Sequence, residues 1–189
     1  MKQNSFNKSI KRLTHAFFNR PTLVVAEELL GKILVFNKHR GIITETEAYI
    51  GFNDPASHAF KGETPRTKIM FGKAGFSYVY LIYGMYYCLN IVTEKAGFPA
   101  AVLIRGIKLL DPPEMHLDGP GKICRHMGIT KAQYGIDVTT SEELYLGCIN
   151  QTLSFSRTPR IGIKVATDKQ WRFLAKTTDP CQFQVNRNK

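Results

Sequence analysis

Several things are scarce in this sequence, and each shortage removes a class of protein. No run of residues approaches the ~20 consecutive apolar positions that a membrane-spanning helix needs, so no span is expected. Cysteine is sparse and scattered: Cys88, Cys124, Cys148 and Cys181 show no Cys-x-x-Cys or Cys/His spacing suited to zinc. They read as reduced thiols of a cytosol-like compartment rather than a disulfide framework. Acid is in short supply too. The first acidic residue is Glu27, preceded by Lys2, Lys8, Lys11, Arg12 and Arg20. That stretch lacks the apolar core of a secretory signal; an organelle transit peptide shares its basic bias, but residues 1–12 are expected to form a flexible basic arm. No internal repeat, linker or low-complexity segment divides the rest. Residues 13–189 are therefore expected to form one domain, long enough to bury a core without disulfide or metal staples.

What is present is ordinary in proportion and unusual in charge. Apolar residues make up 43% and charged residues 22%, as in soluble globular proteins. Lys and Arg number 26 against 15 acids, a formal net charge of +11. Such a surplus in a small domain points to a polyanionic partner, nucleic acid before an anionic membrane surface. Solubility alone is the competing reading.

Along the chain, Asn19-Arg20-Pro21-Thr22 reads as a helix start, with Asn19 as cap. Leu23, Ala26, Leu29 and Leu30 supply its apolar face and Gly31 its stop. Ile33–Phe36 and Gly41–Ala48 read as a hairpin, with Glu47 near the end of its second strand. Residues 50–74 read as a long loop carrying Arg66, Lys68 and Lys73, the kind of segment that often forms a binding surface. Tyr78–Tyr83 and Tyr87–Thr93 are expected strands around a Gly84-Met85 turn, and Ala100–Ile107 another, broken in character by Arg105. A short helix from Gly119-Pro120 is expected to end at Gly128. Leu144–Leu146 and Arg160–Val165 read as late strands, and Trp171-Arg172-Phe173 as the end of the ordered region. The sum is an α+β fold, a mainly antiparallel curved β-sheet with flanking helices.

The chemistry concentrates between Ile43 and Asn90. Glu47 and Tyr49 alternate, so both leave one face of an extended segment, an acid beside an aromatic wall. Glu45 shares that parity, and spacing does not say which acid works. Of eight tyrosines in the chain, five lie between 78 and 87. Buried tyrosines need partners for their hydroxyls, so this density suits a stacking site better than a plain sheet core, though a sheet core would also accept it. His58 reads equally as a pocket wall or a structural histidine.

In order along the chain stand Ala26-Glu27-Glu28-Leu29-Leu30-Gly31-Lys32, Glu45-Thr46-Glu47-Ala48-Tyr49, Asp54-Pro55-Ala56-Ser57-His58, Thr64-Pro65-Arg66-Thr67 with Met70-Phe71, Tyr78-Val79-Tyr80 with Tyr83-Gly84-Met85, and Gly119-Pro120-Gly121-Lys122. With these motifs the chain resembles the alkyladenine (3-methyladenine) DNA glycosylase family from about Leu13 to Phe173. Two departures stand out: Gln170 where a proline usually precedes Trp, and a tail after Pro180 that matches no pattern. The resemblance implies Glu47 as the general base that activates water, with Arg105 helping to hold that water. It implies Tyr49, His58 and Tyr80 as pocket walls and Asn90 as the residue that crowds the exocyclic amine of normal guanine. Tyr83 with Met85 would enter the duplex where the damaged nucleotide swings out. The implied partner is double-stranded DNA containing damaged purines, bound by a monomer with no cofactor, no metal and no membrane. Two other readings stay open: a non-catalytic nucleic-acid-binding module, in which basic loops hold phosphates and tyrosines stack bases, and a hydrolase of small nucleosides, which would have no need of the charge.

Overall fold

The computed structural model describes residues 10–148 and 153–176. The first nine residues of the expected basic arm, and the tail that includes Cys181, lie outside the described residues. Among the described residues, ten strands and three α-helices follow one another as β1 (Lys11–Arg12), α1 (His15–Phe18), α2 (Thr22–Glu28), β2 (Ile33–Phe36), β3 (His39–Ile50), β4 (Ser77–Ile82), β5 (Tyr86–Val92), β6 (Ala100–Leu109), β7 (His116–Asp118), α3 (Pro120–Met127), β8 (Leu144–Cys148), β9 (Phe155–Thr158) and β10 (Arg172–Ala175). The strands form one antiparallel sheet in the order β1-β8-β2-β3-β6-β5-β4, with β7 beside β6 and β10 beside both β3 and β9. This is the α+β architecture expected from the sequence.

β3 is the central strand. One of its edges is shared between β2, which pairs His39–Ile42, and β10, which places Arg172 opposite Glu47. Its other edge runs along β6, where Glu47 faces Leu103. Glu47 thus stands on backbone held from both sides.

The register shifts around Glu45, out by one residue after Ile43 and back again before Thr46. Ile43 lies opposite Ile107 and Thr46 opposite Ile104, but Glu45 lies opposite Gly106, which leaves Thr44 and Arg105 out of the ladder. The effect on the faces is large because side chains alternate with period two. Ile43, Thr46 and Ala48 all point toward the helices, as do Ile104 and Ile107. Without the slip, Ile43 and Glu47 would share a face, one of them on the wrong side. Gly106 is required there: a Cβ would approach Glu45 Cβ to 2.8 Å.

The helices cover one face of the sheet and form the main core. Val25, Ala26 and Leu29 of the α2 region and Ile123, Cys124 and Met127 of α3 are buried against Leu89, Val102 and Ile104. α3 ends as expected, with Gly128 in the left-handed conformation (φ 79°). The cap of α2 differs from expectation. Asn19 closes α1, and Pro21, which has no side-chain acceptor, stands at the N-cap of α2. The carboxylate of Glu94, 72 residues away, accepts the Thr22 amide (2.7 Å) instead. Arg160–Val165 is likewise not the strand expected from the sequence. Gly162 takes φ +77° and the Ile161 amide is directed to a carboxylate instead of a ladder partner, so the segment is a loop. The strand lies just before it, at Phe155–Thr158.

Candidate active site

On the sheet face that carries Glu47 and Tyr49, with the start of α3 at its rim, lies a cavity of about 520 Å3, within the range of small-ligand sites, roughly 300–1,000 Å3. Glu47, Tyr49, His58, Tyr80, Asn90, Arg105 and Tyr83 all line it. Of the eight residues that the resemblance implies for the site, only Met85 stands elsewhere, in a smaller cavity shared with Tyr86, Gly121 and Arg125.

Glu47 has no exposed surface. Its Oε1 accepts the Ile161 amide (2.8 Å), its Oε2 accepts the Tyr49 hydroxyl (2.8 Å), and Arg105 Nε lies 3.5 Å from Oε1. Burial raises its pKa above the ordinary carboxylate value, and the Ile161 amide, the Arg105 charge and the Tyr49 hydroxyl offset part of that rise. Glu45, on the same face, has a different setting. It is paired with Arg172 at 2.5 Å and with Arg105 at 3.0 Å, and it does not line the cavity. The structure thereby separates two acids that sequence parity leaves equivalent.

The walls are aromatic. Tyr80 lies 4.6 Å from the His58 ring and 5.3 Å from the Tyr78 ring, and the Arg66 guanidinium stands 4.9 Å over its face. His58 Nδ1 lies 3.0 Å from the Tyr78 hydroxyl and its Nε2 lies 3.4 Å from Arg66. Because Arg66 only donates, Nε2 accepts and Nδ1–H donates to Tyr78. Burial away from water and the nearby Arg66 charge hold the His58 pKa down at about 4, so the ring is neutral at physiological pH. Asn90 is buried, and its Nδ2 donates to the Tyr78 (3.1 Å) and Cys88 (3.4 Å) carbonyls, which fixes the amide between β4 and β5.

At the end of the β4–β5 hairpin, Tyr83 and Gly84 both have positive φ (53° and 69°), and the Met85 amide closes the turn on Ile82 O (3.2 Å). Positive φ at both central positions is the type I′ pattern, which favours Asn and Gly and strains a tyrosine by about 1 kcal/mol. Tyr83 is 77% exposed and Met85 68%.

Sequence reasoning missed the far wall. Ile161, Ile163 and Lys164 from the loop after β9 line the cavity, as does Cys88. Lys164 is exposed on that loop. Arg160, which begins the loop, is buried against Asp54, a residue whose motif was noted but whose partner lies 106 positions away.

The sequence profile of the methylpurine-DNA glycosylase family matches residues 16–179. A protein of Sodalis glossinidius named "Putative 3-methyladenine DNA glycosylase" is 58% identical over 164 residues, covering 85% of this chain and 95% of the relative. A protein of the same name from Wolbachia sp. subsp. Brugia malayi (strain TRS) is 57% identical over 161 residues, covering 85% and 95%. Another, from Rickettsia rickettsii (strain Sheila Smith), is 56% identical over 162 residues, covering 86% and 88%.

Proposed function

This chain belongs to the methylpurine-DNA glycosylase family, and from that premise we propose that it is a monofunctional DNA glycosylase releasing alkylated purines such as 3-methyladenine, with Glu47 as general base. The observation that carries the reading is the setting of Glu47: a buried carboxylate on the floor of an aromatic cavity, with its oxygens aimed by Tyr49 and Ile161. A purine stacked in a duplex hides its glycosidic bond, so the nucleotide must swing out into the cavity, at an unstacking cost of a few kcal/mol. Tyr83 and Met85, exposed on the hairpin tip, are suited to enter the gap, as apolar wedges do in kinked duplexes.

Alkylation at N3 or N7 makes the purine cationic, and a cation against Tyr80 or Tyr49 gains about 0.5–2 kcal/mol. Water attacks C1′ as the glycosidic electron pair leaves with the base, which departs neutral. The proton lost by the water passes to Glu47, whose raised pKa favours accepting it. Arg105 holds the attacking water beside that carboxylate. One carboxylate is enough because the leaving group carries its own positive charge; sugar hydrolases with poorer leaving groups use two. Neutral His58 and fixed Asn90 define the edge against which the base is read.

Duplexes bearing single defined lesions test the reading, with released base and abasic sites as the product measured. Borohydride treatment during turnover separates water from Lys164 as nucleophile. Base release without a trapped protein–DNA adduct is the expected result, and a trapped adduct lost in Lys164→Ala would overturn it. DNA retained without base release would instead identify a binding module.

A further inference from the structure

The cavity is assembled from segments far apart in sequence, and one buried ion pair joins them. Neither Arg160 nor Asp54 exposes any side-chain surface. The Arg160 Nη1 and Nη2 donate to Asp54 Oδ2 (2.5 Å) and Oδ1 (2.6 Å), and Nη1 also donates to the Ala48 carbonyl (2.9 Å). The flat of the guanidinium lies 4.6 Å over the Tyr49 ring and 5.2 Å from the Trp171 ring. Asp54 in turn accepts the Ile50 (3.3 Å) and Ala56 (3.2 Å) amides, which fixes the segment leading to Ser57 and His58. Three pocket-forming stretches therefore meet at one guanidinium: the end of β3, the loop at 54–58 and the loop at 160–165.

Stability does not account for this arrangement. A fully buried ion pair returns little net free energy after desolvation, and Arg160 Nε has no hydrogen-bond partner among the described residues. What the pair does supply is geometry. The next backbone amide, that of Ile161, is the donor to Glu47 Oε1. Its own side chain holds Ile161 only weakly: it is 46% exposed, and the next residue, Gly162, takes φ +77°.

We propose that Arg160 is a positioning residue for the excision reaction: its clamp on Asp54, Ala48 and Tyr49 seats the 160–165 loop so that the Ile161 amide holds Glu47 in its working orientation. The proposal rests on the reading of Glu47 as the base. The charge around Glu47 comes from every side: Glu45 and Tyr49 on its own strand, Arg105 from β6 and Arg172 from β10. Tyr80 and Cys88 face it across the cavity as neutral groups. Arg160 is distinct among the nearby cations because it acts through a neighbouring amide and not through its own contact with the carboxylate.

The test is the pH dependence of single-turnover excision from a 3-methyladenine duplex, with protein in excess so that the rate reports only folded molecules. Arg160→Lys keeps the charge but loses the two-pronged bond and the ring contact. With the loop loosened, Glu47 loses a donor to its ionised form, so the acidic midpoint of the rate profile moves up by about one unit. The rate on the acid limb falls about tenfold, and the curves converge at alkaline pH. Asp54→Asn weakens the same clamp with little change of shape and is expected to move the midpoint in the same direction by less. Because the guanidinium is buried, the salt dependence of duplex binding is expected to stay as in the wild type. A loss of rate that is equal at every pH, or an unmoved midpoint in both variants, overturns the proposal. If Glu47→Gln is inactive while the midpoint stays fixed in both variants, the base assignment stands and the clamp alone falls. If Glu47→Gln excises normally, the base assignment falls and takes the clamp's role with it.

Discussion

The floor of the cavity and the tip of the β4–β5 hairpin are built from similar residues under opposite constraints. At the floor, Glu47 is buried and its oxygens are directed by a hydroxyl, an amide and a guanidinium from three segments. At the tip, 36 residues further on, Tyr83 projects 77% exposed from a turn whose backbone disfavours its side chain. Strain of two kinds is thus kept in one molecule: electrostatic at the floor, conformational at the tip. A buried charge is useful where a proton must be taken, and an exposed ring is useful where something must be entered. Both sites give up stability, and mutations that recover the stability are expected to lower activity.

The largest effect is expected at Glu47. Glu47→Gln is expected to lower single-turnover excision at least about a hundredfold, as for loss of a general base, while lesion DNA is still bound. Retention of near-normal excision would remove the floor from the chemistry. Tyr80→Ser is the next largest change. It is expected to lower excision about tenfold or more from duplex and single-stranded substrates alike, because the wall serves both. Tyr83→Ser is expected to lower excision from the duplex by a similar factor but to spare the single strand, where there is little stack to replace. Equal losses on both substrates would make Tyr83 a wall and not a wedge.

Smaller effects are expected on stability. The folded state raises the Glu47 pKa above the ordinary 4.5, so it holds that proton more tightly than the unfolded chain does. Stability is therefore subtracted as pH rises through the interval between the two values, and the subtraction is complete above the folded one. Glu47→Gln is expected to raise Tm at neutral pH, with the gain vanishing below about pH 4.5. Glu45→Gln is expected to act in the opposite direction and lower stability by about 1–3 kcal/mol, since Arg105 and Arg172 both rely on that carboxylate. Tyr83→Asn, the residue a type I′ turn favours beside Gly84, is expected to stabilise the fold by about 1 kcal/mol while duplex excision falls. Thermal melts beside the excision assay check all three; a destabilised Tyr83→Asn would show that the turn is not strained.

Much of this molecule is legible in its sequence because much of it is local. The β2–β3 and β4–β5 hairpins follow from β-branched and aromatic runs around Asn37 and Gly84, and α3 from Pro120 at its start and Gly128 at its end. The cluster of tyrosines and the Glu47–Tyr49 alternation announce an acid beside aromatic walls, and the two side chains do meet, hydroxyl to carboxylate. What the sequence does not carry is any feature set by partners distant in the chain. Glu45 and Glu47 have one parity and different fates because β10 brings Arg172 to one of them and the 160–165 loop brings an amide to the other. Glu94 caps a helix 72 residues before it, and Arg160 finds Asp54 across 106. The slip between β3 and β6, which turns Ile43 to the core and Glu47 to the cavity, exists only once the two strands pair. Turn and strand preferences are properties of neighbouring residues, so the sequence determines them. Which face a strand buries, and which charge meets which, depends on where the rest of the chain arrives, and only the tertiary structure decides that.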